Sequence, residues 1–214
     1  MAIAGHTGIV VGGGIVPAMP SNDPQVPDDA TMPARAPHAP APGEVIPSHY
    51  RWCYGCGHDH PSGLHMQLFA GEGMDTYGTF VVTDLHQGAP GLAHGGLLTT
   101  AMDEVLGSLN WLLAKPAVTA HLECDFRRPV PVGSRLEMRA MVDGVKGRRV
   151  FMSAVASLDA KPAVTARAVF VQVPLEHFLD NGNAEQVEQA ARERGQRGGV
   201  RGPGVTQTDV QVNP

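Results

Sequence analysis

The chain has 214 residues and a formal net charge of −5 at pH 7, and its isoelectric point is about 6.0. These values give no basic signal for nucleic acid, and no apolar run approaches the ~20 residues that span a bilayer. The 26 glycines and 18 prolines are numerous near both ends, which predicts one folded domain between two arms.

The first 48 residues are predicted to form a disordered tail. Prolines recur every few residues from 17 to 47 without a hydrophobic period. Residues 8–16 resemble a strand that enters a nucleotide-binding turn, but Pro17 and Pro20 follow where a helix would have to begin. No basic region of the signal-peptide kind precedes this run. With three cysteines and no secretory signal, we expect a reducing, cytoplasmic setting.

A CxxC pair, Cys53 and Cys56, is followed by three nearby histidines. A structural zinc site usually takes four ligands in two separated pairs, and the only other cysteine is Cys124. A thioredoxin-like redox role would need a βαβ context, which the sequence lacks. We therefore interpret this segment as a turn that leads into the first strand, and we predict no metal and no cofactor.

The most informative stretch is a loop that leads into an apolar helix. Glycines and a proline between 88 and 96 predict the loop. Apolar residues then recur at helical spacing, which predicts a helix from 95 to 114 that stops at Lys115-Pro116. Asp103 and Glu104 are the only Asp, Glu, Lys or Arg between 86 and 114. Acids on an otherwise apolar helix commonly have a function.

Strands are predicted on both sides of this helix. Two precede it, near 64–69 and 77–82, and four follow it, near 118–126, 135–142, 148–156 and 163–173. In the first of these four, alternation predicts that Leu122 and Cys124 face away from Thr119. One helix before a run of antiparallel strands favours an α+β architecture with the sheet curled around the helix. Residues 184–194 are predicted to form a short surface helix, and residues from 195 onward to be disordered.

The glycines at the start of the helix have a physical use. The first turn of a helix has free N–H groups and the positive end of the dipole. Without side chains, Gly95 and Gly96 leave room for an anion or a developing oxyanion to approach these donors. Asp103 follows eight residues later, roughly 12 Å along the axis at ~1.5 Å per residue. One chain cannot bring both ends to one atom, so we predict a site shared between protomers, in a homodimer or a dimer of dimers.

The run HQGAPGLAHGG, with an acid nine residues after His94, resembles the hotdog-fold acyl-CoA thioesterases of the phenylacetyl-CoA thioesterase-like (PaaI-like) type. Residues 119–133 resemble the strand that follows the central helix in that family. The resemblance extends from about residue 53 to residue 173. It implies a hotdog thioesterase domain at 49–178, flanked by tails at 1–48 and 179–214, which hydrolyses acyl-CoA to a free acid and coenzyme A.

The resemblance also implies roles for individual residues. Asp103 matches the family's general base or nucleophile, with Glu104 as a substitute or helper. Thr119 lies where the family often has a Ser or Thr that positions the attacking water, and Gly95 would polarise the thioester carbonyl. His94 is the fifth residue expected at the catalytic centre, most simply as a structural hydrogen-bonding group. Four residues are expected to contact the substrate: Gly88, Gly96, Arg127 and Arg128. The two arginines would do so through the phosphates of coenzyme A.

Two alternatives stay open at this point. A non-catalytic acyl-CoA binding or sensing module could use the same fold, in which case Asp103 would be incidental. A hotdog hydratase acting on an enoyl-CoA is a weaker alternative, because no paired Asp and His of the hydratase type is found. Neither the length of the acyl chain nor a preference for aromatic acyl groups can be read from the apolar helix.

Overall fold

The structure is a computed structural model that describes residues 24–197, with side chains to residue 192, and the short backbone segments 10–11 and 14–15. These two segments, β1 (Val10–Val11) and β2 (Gly14–Ile15), pair antiparallel. The remainder of the two predicted tails, before residue 24 and after residue 197, lies outside the described residues.

A six-stranded antiparallel sheet forms the body of the domain. Its strands in spatial order are β3 (Leu68–Ala70), β4 (Asp75–Val81), β8 (Arg135–Lys146), β9 (Arg149–Leu158), β10 (Lys161–Gln172) and β7 (Ala117–Phe126). The last three strands in sequence form a meander, whose second turn places Asp159 and Ala160 at φ of 51° and 58°. Left-handed backbone at both turn positions suits the right-handed twist of a two-residue hairpin. In this strand order the two edges of the sheet are the short β3 and the ten-residue β7.

The connection between β4 and the helix is compact and mostly exposed. It consists of a single 3₁₀ turn at Asp84–His86 and a small antiparallel ribbon of β5 (Gln87–Ala89) and β6 (Leu92–Ala93). Gly91 has a φ of +74° in the turn between the two strands, a conformation that favours glycine. This ribbon delivers the chain to the start of the central helix.

The predicted helix is present, with one break near its end. α1 covers Gly95–Ser108 and α2 covers Asn110–Leu113, with Leu109 between them. Ala114 closes α2 in the left-handed region at φ 49°, just before Lys115-Pro116, which confirms the predicted stop. α1 packs against the concave side of the sheet, and Thr76 Oγ1 of β4 lies 2.7 Å from Ser108 Oγ. The residues of α1 that are buried are Leu98, Ala101, Met102, Val105, Leu106 and Ser108.

This architecture is the predicted α+β hotdog fold, in which an antiparallel sheet curls around a central helix. The core consists of the apolar faces of β4, β8, β9 and β10 packed on α1. Burial of this apolar area is the main contribution that stabilises the helix against the sheet. Asp103 and Glu104 lie outside this apolar contact, and both are half-buried.

The proline-rich arm differs from its prediction over residues 24–48, which are ordered against the domain. Thr31 forms a bridge with Val145 of β8, and Val45 forms one with Phe69 of β3. Arg35 Nη1 donates to the Gly71 carbonyl at 2.8 Å. The arm follows an extended path whose backbone hydrogen bonds are made to the sheet, an arrangement that has no hydrophobic period for sequence analysis to detect.

The facing of β7 was predicted incorrectly, because the strand contains a β-bulge. Val169 of β10 pairs with His121 and Phe170 pairs with Thr119, so Ala120 is the extra residue. One added residue reverses the alternation of side chains beyond it. Thr119 therefore faces α1, on the same side as Cys124, which packs against the core.

The C-terminal segment forms two helices, α3 (Glu176–Asn181) and α4 (Ala184–Arg197). α4 corresponds to the predicted surface helix and includes the ion pair between Glu188 and Arg192 at 3.9 Å; α3 was not predicted. No helix among the described residues is long and apolar enough to cross a membrane.

Candidate active site

The central feature of the site is the carboxylate of Asp103 on α1. Thr119 Oγ1 of β7 donates a hydrogen bond to Asp103 Oδ1 at 2.8 Å, a contact that exists because the bulge turns Thr119 towards the helix. Burial raises the pKa of Asp103, and the Thr119 hydrogen bond opposes this effect. The pair thus holds one carboxylate oxygen in a fixed position and leaves the other available for a ligand.

Asp103 and Thr119 line a cavity of about 790 Å³. Its apolar wall contains Met66, Leu68 and Phe170 from the sheet side, and α4 contributes Val187. A volume of this size lies within the usual range of small-molecule sites, about 300–1,000 Å³. Asp103 and the adjacent Glu104 both line this cavity, and a carboxylate held at the wall of a mostly apolar cavity is suited to acid–base or nucleophilic chemistry.

The start of α1 has one backbone donor left over. His94 caps the helix, since its Nδ1 accepts from the Gly96 N–H at 2.9 Å. The His94 carbonyl accepts from the Leu97 and Leu98 N–H groups at 3.0 and 3.1 Å. Of these first four amides, only Gly95 has no acceptor within the part of the chain that the structure describes. The structure therefore gives His94 a capping role and reduces the two predicted glycine donors to Gly95.

Gly95 opens into a second, smaller cavity of about 340 Å³, which Phe126, Arg127 and Arg128 also line. Asp103 is not part of this cavity, and Gly95 is not part of the larger one. Gly95 and Asp103, which were expected to act on one thioester, therefore line different cavities within one protomer. This agrees with their separation of ~12 Å along the helix.

The other predicted substrate contacts are already engaged within the chain. Arg127 Nη2 pairs with Asp125 Oδ2 at 2.7 Å, and Arg128 Nη1 donates to the Leu158 carbonyl at 3.0 Å. Gly88 lies against His94, where a Cβ would come within 2.8 Å of the His94 Cα. Gly88 is therefore required for the close packing of the β5–β6 ribbon on the helix cap. Binding of coenzyme A phosphates by Arg127 and Arg128 stays a prediction.

A second group of side chains lies beside Asp103. His49, Cys53, Cys56 and Glu104 each present a ligand atom, and these atoms lie within 4.8 Å of one another. Burial, followed by the effect of Cys53, raises the pKa of Glu104 to about 7. Sequence analysis considered the two cysteines with the three histidines that follow them and did not include His49, which precedes them. It singled out Glu104, with Asp103, as an acid on an apolar helix, but only as a helper of Asp103 and not as a neighbour of the cysteines.

Comparisons with known proteins agree with this geometry. Residues 90–159, which contain the helix cap, Asp103 and Thr119, match the family model described as Thioesterase superfamily. Acyl-coenzyme A thioesterase THEM5 of Mus musculus is 35% identical over 92 residues, which are 42% of this chain and 37% of that protein. Acyl-coenzyme A thioesterase THEM4 of Bos taurus is 37% identical over 89 residues, which are 41% of this chain and 36% of that protein.

A solved structure of a thioesterase superfamily protein is 27% identical to this chain with a TM-score of 0.55, and the match covers 63% of this chain and 70% of that one. The matches to the curated relatives span less than half of their length. Over residues 90–159, which include the capped helix and its acid, the chain is therefore similar to the thioesterase superfamily, and its architecture is similar to that of a solved protein of that superfamily.

Proposed function

We propose that this protein is an acyl-CoA thioesterase, which converts an acyl-CoA and water to a free acid and coenzyme A. The observation that carries the proposal is the Asp103 carboxylate, held by Thr119 at the wall of the 790 Å³ cavity. The acyl-CoA thioesterases among its relatives support this substrate class. The apolar lining suits an acyl chain, and the carboxylate supplies the charge that hydrolysis needs.

The hydrogen bond between Thr119 and Asp103 decides how a water molecule would be oriented. A threonine hydroxyl has one proton, and Thr119 donates it to Asp103. Towards a water molecule, Thr119 Oγ1 and the second oxygen of Asp103 therefore act as acceptors only. Two acceptors fix both hydrogens of the water and direct an oxygen lone pair at the thioester carbonyl.

Asp103 either removes a proton from this water or attacks the carbonyl carbon directly, and both routes need its negative charge. The carbonyl oxygen becomes an oxyanion, which the Gly95 N–H of a facing protomer would stabilise at the positive end of α1. Collapse of the intermediate breaks the C–S bond, and the coenzyme A thiolate takes up a proton. On the water route this releases the free acid directly; on the direct-attack route a water molecule then hydrolyses the mixed anhydride, which releases the acid and restores the Asp103 carboxylate. Loss of this thiol from the substrate is the signal that an assay detects.

A shared site requires an assembly, and the sheet provides a surface for one. β7 pairs with β10 along one edge only, and no strand within the described residues pairs with its other edge. Phe126, at the end of β7, is 53% exposed. This long edge strand contains Thr119 and reaches Gly95 through Phe126, and such an edge is suited to pairing with a second copy. We infer a homodimer, or a dimer of dimers, whose interface brings one protomer's Gly95 to its partner's Asp103.

The experiment is a panel of short, long and aromatic acyl-CoA substrates assayed for free thiol, with wild type and Asp103→Asn. Asn keeps the size of the side chain and removes its charge. We expect kcat to fall about 10²–10⁴-fold, or roughly 3–5 kcal/mol at ~1.4 kcal/mol per tenfold. KM should change far less, because the cavity wall stays in place.

Asp143→Asn is the matched control. Asp143 is also half-buried, accepts from a hydroxyl, Ser153 Oγ, at 2.9 Å, and has its pKa raised by burial, but it does not line the cavity. Equal losses in Asp103→Asn and Asp143→Asn would show a general structural effect and refute the assignment. Binding of acyl-CoA with no turnover on any substrate of the panel would favour the non-catalytic module instead.

A further inference from the structure

The strongest unassigned feature is the cluster formed by His49, Cys53, Cys56 and Glu104. The Cys53 Sγ lies 3.5 Å from Glu104 Oε2, and the Cys56 Sγ lies 3.4 Å from His49 Nδ1. All four ligand atoms lie within 4.8 Å of one another. In a tetrahedral site with bonds of ~2.0–2.3 Å, ligand atoms are about 3.3–3.8 Å apart. The cluster is therefore close to the size of a metal site before any rearrangement.

The four donors come from two parts of the chain that are far apart in sequence. His49, Cys53 and Cys56 belong to a segment without helix or strand, and Glu104 belongs to α1. Gly55, between the two cysteines, lies directly against the Glu104 carboxylate, so that even a methyl group would collide with it. The turn is thus pressed onto the helix at the position of the acid.

The chemistry of the donors is that of a zinc site. Two thiolates, an imidazole and a carboxylate are all ligands that zinc accepts, and four protein ligands complete a tetrahedral, structural site. Thiolate ligands disfavour magnesium and calcium, which prefer oxygen ligands. The surroundings fit as well. The Ser48 hydroxyl lies 3.4 Å from the Cys56 sulfur and 3.1 Å from the Tyr50 carbonyl oxygen, so it is placed to donate to either, and metal ligands are usually oriented by such outer hydrogen bonds.

The composition of the cluster also suits a cation. It brings two thiols and a carboxyl group, all of which can become anionic, against a single imidazole. A divalent cation bound among them would deprotonate the thiols and offset the negative charge of the thiolates and the carboxylate.

We propose that His49, Cys53, Cys56 and Glu104 bind one structural Zn²⁺ ion, which fastens the loop around residues 48–63 to the central helix beside Asp103. The proposal reverses the sequence-based expectation of no metal, whose premise was that the CxxC pair has no further ligands. Because His49, Cys56 and Glu104 also line the larger cavity, the ion would hold that wall of the cavity in place.

The test is metal analysis of the full chain, purified without a polyhistidine tag in reducing buffer and dialysed against metal-free buffer. We expect one equivalent of zinc per chain in wild type and none in Cys53→Ser or Cys56→Ser. Cobalt added to the metal-free protein should give thiolate-to-cobalt charge-transfer bands and the intense visible bands of a tetrahedral site. Ser48→Ala should weaken zinc affinity about 10–100-fold, as outer-shell changes typically do.

Three controls are matched to the ligands. Cys124→Ser removes a cysteine outside the cluster, His60→Asn removes a histidine close in sequence, and Asp103→Asn changes the acid adjacent to Glu104. All three should keep one equivalent of zinc, whereas Glu104→Gln, read by competition with a chromogenic chelator, should bind it more weakly. Chelation should lower the Tm of wild type but not that of Cys56→Ser.

Several results would overturn the proposal. The wild-type protein alone can exclude the site. It would do so if, after reconstitution under reducing conditions, it bound no zinc and showed no cobalt charge-transfer band. A different first-row metal at one equivalent would exclude zinc. Equal loss of metal in Cys124→Ser and Cys53→Ser, with circular dichroism confirming that both are folded, would place the ion elsewhere.

Discussion

The shared active site can be tested by removing one hydrogen bond donor. Gly95 is the first residue of α1, and its N–H is the helix-start donor that His94 leaves over. Gly95→Pro deletes this N–H. Proline is favoured at the first position of a helix, where its fixed φ suits the backbone. His94 precedes it with φ −71° and ψ 129°, the extended conformation that a residue before proline prefers.

The expected loss follows from the role of the donor. Removing one donor from an oxyanion site typically lowers kcat about 10²–10³-fold, or roughly 2.7–4 kcal/mol. The fold should be little affected, because a Cβ at Gly95 would meet only the Phe126 ring at 3.5 Å, an ordinary contact. Gly95→Ala is the matched control, since it adds that same Cβ and keeps the N–H. It should retain most of the wild-type kcat.

Mixing two inactive variants tests whether the site is shared. In a dimer of one Gly95→Pro chain and one Asp103→Asn chain, one of the two shared sites combines an intact Gly95 with an intact Asp103. We expect the mixture, after subunit exchange, to regain activity that neither variant has alone. The thiol-release assay measures the regain, and analytical ultracentrifugation confirms that mixed dimers have formed.

The reasoning fails if these mixed dimers form and regain no activity, because a site within one chain would leave every site defective. It also fails if Gly95→Pro and Gly95→Ala lose activity equally, because the steric change and not the missing donor would then be responsible. A fully active monomer by ultracentrifugation would refute the shared site outright.

Three further predictions concern single contacts. Thr119→Val should lower kcat about 10–100-fold, because a hydrogen bond to a charged group contributes ~1.5–3 kcal/mol. Thr119→Ser keeps the hydroxyl and should keep most of the activity. If the loss in the double variant equalled the sum of the losses in Thr119→Val and Asp103→Asn, the two residues would not be coupled. Burial lowers the pKa of His86, whose Nδ1 accepts from the Thr83 N–H at 3.0 Å. As the pH falls, His86 is therefore protonated first in the unfolded chain, near pH 6.5. The free energy of unfolding should be unchanged above that pH and should decrease below it. Urea melts at several pH values should show a weaker pH dependence in His86→Gln. Gly55→Ala should destabilise the chain by about 1–3 kcal/mol by overpacking against Glu104, and an unchanged urea midpoint would contradict that packing.

The fold was predictable because its signals are local. The spacing of apolar residues predicted the central helix over 95–114, and α1 and α2 occupy that range up to Leu113. The proline at 116 predicted its end. Alternation predicted all four strands after the helix, although β8 continues past the predicted end at residue 142 to Lys146, through a β-bulge at Asp143. Such bulges leave no sequence signal beyond a glycine that is equally typical of turns.

The details of the site depend on contacts between distant segments. The sequence predicted Thr119 as a site residue through the family resemblance, yet simple alternation placed it away from Leu122 and Cys124. Only the bulge at Ala120, visible in the pairing of β7 with β10, reconciles the two. In the same way, nothing in the CxxC segment indicates that Glu104, 51 residues after Cys53, lies beside it. Register shifts and loop docking are tertiary effects, which one sequence does not encode in its local pattern.

The two adjacent acids of α1 have different surroundings for a geometric reason. Successive residues of a helix leave it about 100° apart, so Asp103 and Glu104 cannot face the same neighbour. Asp103 faces β7 and is held by Thr119, whereas Glu104 faces the loop and contacts Cys53. Exchange of the two acids would therefore not preserve either site, although it would preserve charge and composition. In the two proposals made above, Asp103 serves the chemistry and Glu104 anchors the loop. This division would account for two adjacent acids on a helix that carries no other charged residue from Leu97 to Leu113.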